Sequence, residues 1–333
     1  MKGIVREIIA IILCVLIVFA VSVYAGYIYN PTRTSFGGLW NMYKCEDENS
    51  VDVMFVGSSL TYCDIIPAEI YEQTGHTAYV LGGPNLTLPI GYYYIKEGLK
   101  TQKPEVMFVE VSSLFFKKYE DDTKSNIGYM PYNLNRLGAI FNGAPKEERL
   151  GLVFPLYNLH DKWDEVAPKA YFEKREDVKT DILAGYTYLT DARDTQGRSK
   201  TDITIDREAY EYNAKYLRKI VDLCGKNGVE LCLLIVPQSR WFTGEQMELI
   251  EKDFGDVPLA DFNGDEAYAT VGLDTQKDFY DNMHLNFFGA VKFSKTLGAF
   301  IGEKITPEIR DHDKALWEER MKYYTELKAS SPS

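Results

Sequence analysis

The chain has no HExxH motif and no CxxC pair, and its four histidines, His76, His160, His284 and His312, are scattered. Metal ligands of the zinc type come at short, fixed spacings, so no metal centre is expected. Neither a GxGxxG turn nor a Walker lysine loop occurs, which removes two common phosphate cradles, and no cofactor is expected. Runs of Lys or Arg are also missing, and the formal net charge is −12. Nucleic-acid binding needs a basic patch to displace counterions, so no nucleic-acid partner is expected. Trp is scarce at 4 residues, whereas Tyr reaches 24. Tyrosine suits polar, half-buried clefts such as carbohydrate-facing ones, and it also fills cores.

Lys2 and Arg6 precede an uncharged run from Ile8 to Tyr29. As a helix this run reaches about 33 Å, against about 30 Å for a hydrocarbon core. Basic residues at its start keep the short tail cytoplasmic and put the bulk of the chain outside. Val23-Tyr24-Ala25 offers a small residue where a signal peptidase would cut, but the run is long for a signal core, which favours a retained anchor. Cys14 lies within the run, and Leu13 before it is not the small residue that a lipoprotein site needs. Cys45, Cys63, Cys224 and Cys232 lie beyond it. They permit two disulfides in three pairings, and free buried thiols fit equally well.

The organisation expected is an anchor over 1–29, a linker over 30–50, a catalytic domain over 51–304 and a charged tail helix over 305–333. Short apolar runs at Val51–Val56, Thr77–Leu81, Val106–Val111, Val229–Val236 and Val257–Asp261 read as buried strands. Helical patterns at Pro67–Gln73, Leu88–Lys100, Asp206–Gly225, Gly244–Phe254 and Asn286–Ile301 alternate with them. Such alternation predicts an α/β fold with a five-stranded parallel sheet covered on both faces. Residues 112–205 break the rhythm and read as a long insertion or lid with short helices, one over Lys146–Leu152. In such sheets ligands bind beyond the carboxyl ends of the strands.

Three strand-end segments there carry chemistry. Val56-Gly57-Ser58-Ser59 ends a strand in a turn that can present a hydroxyl, although Ser after Gly also suits a helix N-cap. Asp281-Asn282-Met283-His284 spaces a carboxylate and an imidazole by one turn, as a base and its orienting acid require. Leu81-Gly82-Gly83-Pro84-Asn85 could bring backbone and amide donors to an oxyanion, or be an ordinary turn. His160-Asp161 with Trp163, and Trp241-Phe242, could line a binding cleft or simply fold loops, and His312 lies in the charged tail.

A Gly-x-Ser near the N-terminus with an Asp-x-x-His near the C-terminus resembles the SGNH (GDSL-type) hydrolase superfamily, over about Val51 to Ile301. Gly-Ser-Ser in place of Gly-Asp-Ser, together with the anchor and Val236-Pro237, is more similar to the DltD-like and polysaccharide O-acyltransferase branches. The resemblance implies Ser59 as nucleophile and Asp281 and His284 as its acid–base pair. It implies an oxyanion hole from Ser59 and Gly83, with Gly82 as a fallback. The family's third donor, an Asn after the third strand, is replaced here by Val111-Ser112-Ser113, leaving Asn85 or Ser112 to substitute. It further implies acyl transfer onto or off a cell-surface polysaccharide or teichoic-acid-like polymer, with a membrane-bound O-acyltransferase or acyl carrier as partner. An extracellular esterase is the first alternative, and a non-catalytic glycan-binding scaffold the second.

Overall fold

The computed structural model describes residues 2–29, 33–34, 37–38, 40–154, 178–200, 204–308, 310 and 314–331. Helix α1 (Lys2–Tyr29) is followed, from Val53 on, by strands and helices in alternation. Strands β1 (Val53–Gly57), β2 (Ala78–Gly82), β3 (Val106–Glu110), β4 (Glu230–Ile235) and β5 (Leu259–Asp261) form one sheet in the order β2-β1-β3-β4-β5. Every neighbouring pair is parallel. The five apolar runs were thus legible as strands, with ends shifted by one or two residues.

Strand β1 is buried at every position because the sheet has a core on each face. Successive side chains alternate between them. Met54 and Val56 enter one cluster with α4 (Leu88–Gly98), α8 (Arg207–Asn227) and α9 (Gly244–Phe254). Val53 and Phe55 enter the other, with α2 (Ser59–Asp64), α3 (Pro67–Thr74) and α11 (Phe287–Phe300). There Phe55 stacks on Phe108 of the adjacent strand, ring centroids 5.2 Å apart. Much of the tyrosine serves these cores: Tyr43, Tyr79, Tyr186, Tyr216 and Tyr324 are fully buried.

The insertion carries α5 (Thr123–Gly128), α6 (Leu134–Gly143) and α7 (Arg149–Val153). The Lys146–Leu152 pattern is split, with a 3-10 turn over Lys146–Glu148 before α7. His160, Asp161 and Trp163 lie outside the described residues, as does His312. Helix α8 runs past Gly225 and ends at Gly228, whose φ of 68° is left-handed and frees the chain to turn. A short α10 (Asp265–Val271), with no long apolar repeat to announce it, follows β5. The charged tail helix is present as α12 (Lys314–Ser330), and it docks through one stripe, with Trp317, Arg320 and Tyr324 buried. No disulfide forms: Cys45, Cys63, Cys224 and Cys232 are free thiols, the last three buried.

Candidate active site

Gly57 ends β1, and Ser58 then caps α2 by accepting from the Leu60 N–H, so Ser59 is the first residue of that helix. A Cβ at Gly57 would lie 2.7 Å from the Glu110 Cβ and 2.7 Å from the Thr61 Cγ2, so only glycine lets the strand turn this tightly into the helix. Both sequence readings of the segment therefore hold, on different serines. Ser58 is the cap, and Ser59 is left half-exposed at the carboxyl edge of the sheet.

The second segment meets it there from the other end of the chain. A tight loop between Phe279 and Leu285, which bridge each other, holds Asp281 and His284. Asp281 Oδ1 accepts from the backbone N–H of Met283 at 2.7 Å and of His284 at 2.8 Å. Its carboxylate also meets His284 Nδ1, at 2.8 Å from Oδ2. On the far side of the ring, Nε2 lies 2.7 Å from Ser59 Oγ. Ser59, His284 and Asp281 thus form one continuous relay across 225 residues of sequence. Burial alone would raise the Asp281 carboxyl, but the hydrogen bonds from His284 and Met283 outweigh it and hold the group down at about 2. It is an anion throughout the physiological range.

The expected oxyanion donors fare unequally. The Ser59 N–H sits at the first position of α2, where a helix leaves its N–H groups without intrahelical acceptors. The Gly83 N–H instead donates to the Gly57 carbonyl at 3.2 Å, tying the β2 loop to the β1 turn. Asn85 is exposed, and its amide donates to Asp122 at 2.7 Å, away from the serine. The Ser112 N–H donates to Glu110 Oε1 at 2.8 Å. Asn126 of α5 packs against Gly83 so closely that a Cβ there would sit 2.2 Å from Asn126 Oδ1. No motif marked Asn126, because it belongs to the insertion.

Three further groups around Ser59 escaped the sequence reading. The Tyr62 hydroxyl, one turn along α2, lies beside the Ser59 side chain, and burial pushes its pKa up. Asp64 closes the same helix: fully buried, its Oδ1 accepts the Leu285 N–H at 2.9 Å. Burial raises Asp64 well above the usual carboxylate range, and the charges of Asp281 and Glu110 add to this. Glu110 is buried behind Ser58 at the end of β3, and burial carries its pKa to about 7 against opposing hydrogen bonds from Ser112 and Ser58. A signal was present for Glu110, as a charged residue closing an apolar strand. None existed for Asp64, whose partner is 221 residues away.

The Pro237–Phe242 loop reaches the same edge. Ser239 Oγ donates to the Asn282 carbonyl, and Gln238 donates to Ser112 Oγ at 3.3 Å. Phe242 packs edge-on to Phe115, centroids 5.7 Å apart, so it supports the loop. Among the described residues no cluster of His, Cys, Asp and Glu could hold a metal ion.

No protein-family model matches the chain, and no curated protein matches it. Solved structures similar to it include a GDSL-like lipase from Bacteroides thetaiotaomicron, 11% identical, with 76% of this chain and 86% of that chain covered at a TM-score of 0.35. An acetylxylan esterase from Geobacillus stearothermophilus is similar at 10% identity, with 79% of this chain and 99% of that chain covered and a TM-score of 0.37.

Proposed function

We propose that the chain is a membrane-anchored serine acyl-transfer enzyme working through a Ser59 acyl-enzyme. The observation that carries this is the Asp281–His284–Ser59 relay, with 2.8 Å and 2.7 Å contacts on the two nitrogens of one imidazole. A serine hydroxyl is a weak nucleophile until an adjacent base takes its proton. His284 Nε2 takes that proton as Ser59 Oγ attacks the acyl carbonyl carbon, and the π electrons move to the carbonyl oxygen. Asp281 accepts from Nδ1–H, which fixes the tautomer and stabilises the imidazolium. Of the donors expected for the oxyanion, this reading keeps the Ser59 N–H. Collapse expels the first alkoxide, which takes the proton from His284. An acceptor hydroxyl then attacks the acyl-enzyme with His284 again as base, and Ser59 is regenerated.

The acceptor in this reading is a cell-envelope glycopolymer, of the polysaccharide or teichoic-acid type. A membrane-bound acyl-carrying protein supplies the acyl group, as in the DltD-like and O-acyltransferase branches that the motifs resemble. Helix α1, whose Gly3–Gly26 stretch is long and apolar enough to cross a membrane, is the anchor in this reading. With water in place of the acceptor the same steps make an esterase. The test is turnover of an aryl acetate by the full chain in detergent, with and without a sugar-alcohol acceptor. Release of phenol with formation of a sugar ester supports transfer, and free acetate alone supports hydrolysis. Turnover of Ser59→Ala equal to that of the wild type would end both readings.

A further inference from the structure

The last turns of α1 pack on the rest of the protein through Ser22, Ala25, Gly26 and Tyr29, one face at helical spacing. One turn earlier, Phe19 meets the insertion edge-on, its ring 6.2 Å from Tyr132 and 6.5 Å from Phe154. An apolar hollow of about 320 Å³ lies at this junction, lined by Phe19, Leu134, Leu137, Ile140, Leu152 and Val153. The outer face of the same element is largely apolar, with the Arg149 guanidinium at its edge, 5.8 Å from the centre of the Phe141 ring. Leu134, Leu137 and Phe141 recur along one stripe of α6 at 81%, 38% and 57% exposure, and Leu150 of α7 is 63% exposed. Arg136, the one charged residue of α6, turns inward instead, and its two terminal nitrogens donate to the carbonyls of Gly128, Met130 and Leu152.

Depth along α1 says what covers this face. Glu7 is the last charge before the apolar run, so the hydrocarbon begins near Ile8. Crossing about 30 Å takes about 20 residues, to about residue 27. Phe19 then lies about 16 Å in, past the midplane, and whatever touches it shares that depth. An apolar patch of this size facing water would be a liability, whereas facing acyl chains it costs nothing. We propose that the outer face of α6 and α7 is immersed in the outer leaflet beside α1, so that the enzyme is held by a helix and a second, monotopic foot. The foot restricts rotation about the anchor and fixes the height of the Ser59 edge above the bilayer.

This rests on reading α1 as a retained span, and the experiment separates the two. Nitroxides are attached to the full chain in lipid nanodiscs at Leu137→Cys and at Phe141→Cys, each in a Cys14→Ser, Cys45→Ser background. Native Cys14 is labelled separately as the span reference, and exposed Lys226→Cys as the aqueous one. At positions 137 and 141 molecular oxygen should outcompete a water-soluble nickel chelate as relaxant, as at Cys14, with the reverse at 226. Nickel access at 137 and 141 equal to that at 226, while Cys14 stays in hydrocarbon, overturns the foot and leaves the anchor standing. Shielding of 137 and 141 from both reagents also overturns it, since a protein then covers the patch. Nickel access at Cys14 overturns the anchor itself.

Discussion

At the scale of the residue, His284 has a hydrogen-bond partner on each ring nitrogen, as the base of the proposed mechanism requires. Because Asp281 is held at about 2, its charge does not limit activity on the acid side above about pH 4. Asp281→Asn should therefore lower kcat on the order of 10⁴-fold by losing the tautomer, with KM little changed. Steady-state kinetics on an aryl ester reads both numbers. Asp64 acts one step further out, since its Oδ1 is the acceptor that pins Leu285, and hence His284, to the helix bearing Ser59. Asp64→Ala leaves that buried N–H unsatisfied, at a cost of about 1–3 kcal/mol, and lets the loop drift. We expect kcat to fall on the order of 10²-fold in Asp64→Ala and to be largely kept in Asp64→Asn, whose amide oxygen can accept the same bond. Equal losses in the two variants would contradict this role.

At the scale of the element, Gly57, Ser59 and the Asp281–His284 spacing were legible because each is written within a few residues. A strand must end in a turn, and a base must sit one turn from its carboxylate. The supports were not legible, because Asp64 to Leu285, Gly83 to Asn126 and Ser112 to Gln238 are contacts between segments far apart in the chain that only the fold brings together. Gly83 and Asn85 show the limit of motif reasoning, since a Gly-Gly-Pro-Asn turn carries suitable donors and both have other partners here. Glu110 at the end of β3 yields a test by pH. Its folded value of about 7 lies above the ordinary glutamate value of about 4.3. Its contribution to stability is therefore present below about pH 4 and is lost as pH rises to about 7. Glu110→Gln has no such proton to lose. Its melting temperature relative to wild type should rise between about pH 5 and about pH 8.

At the scale of the whole molecule, a parallel sheet covered on both faces was implied by alternation, but its strand order and the docking of the termini were not. The tail read as a charged surface helix because charged residues dominate it, yet its buried stripe closes the fold. Arg320 donates to Glu46 at 2.6 Å and to the Asp181 carbonyl at 2.8 Å, joining the segment before β1, the end of the insertion and α12. Tyr324 donates to Glu69 on α3 at 2.5 Å. Arg320→Ala strands a buried carboxylate and should cost about 3–5 kcal/mol in denaturant unfolding, while leaving the relay chemically complete.

The central claim is that Ser59, drawn to His284 by this closed fold, is the residue that takes the acyl group. The most direct measurement is labelling of the full chain with a fluorophosphonate, followed by peptide mapping of the adduct. A single adduct on the peptide holding Ser59, lost in Ser59→Ala and strongly slowed in folded His284→Ala, is the result predicted. An adduct on another residue, or labelling undiminished in Ser59→Ala, would contradict it.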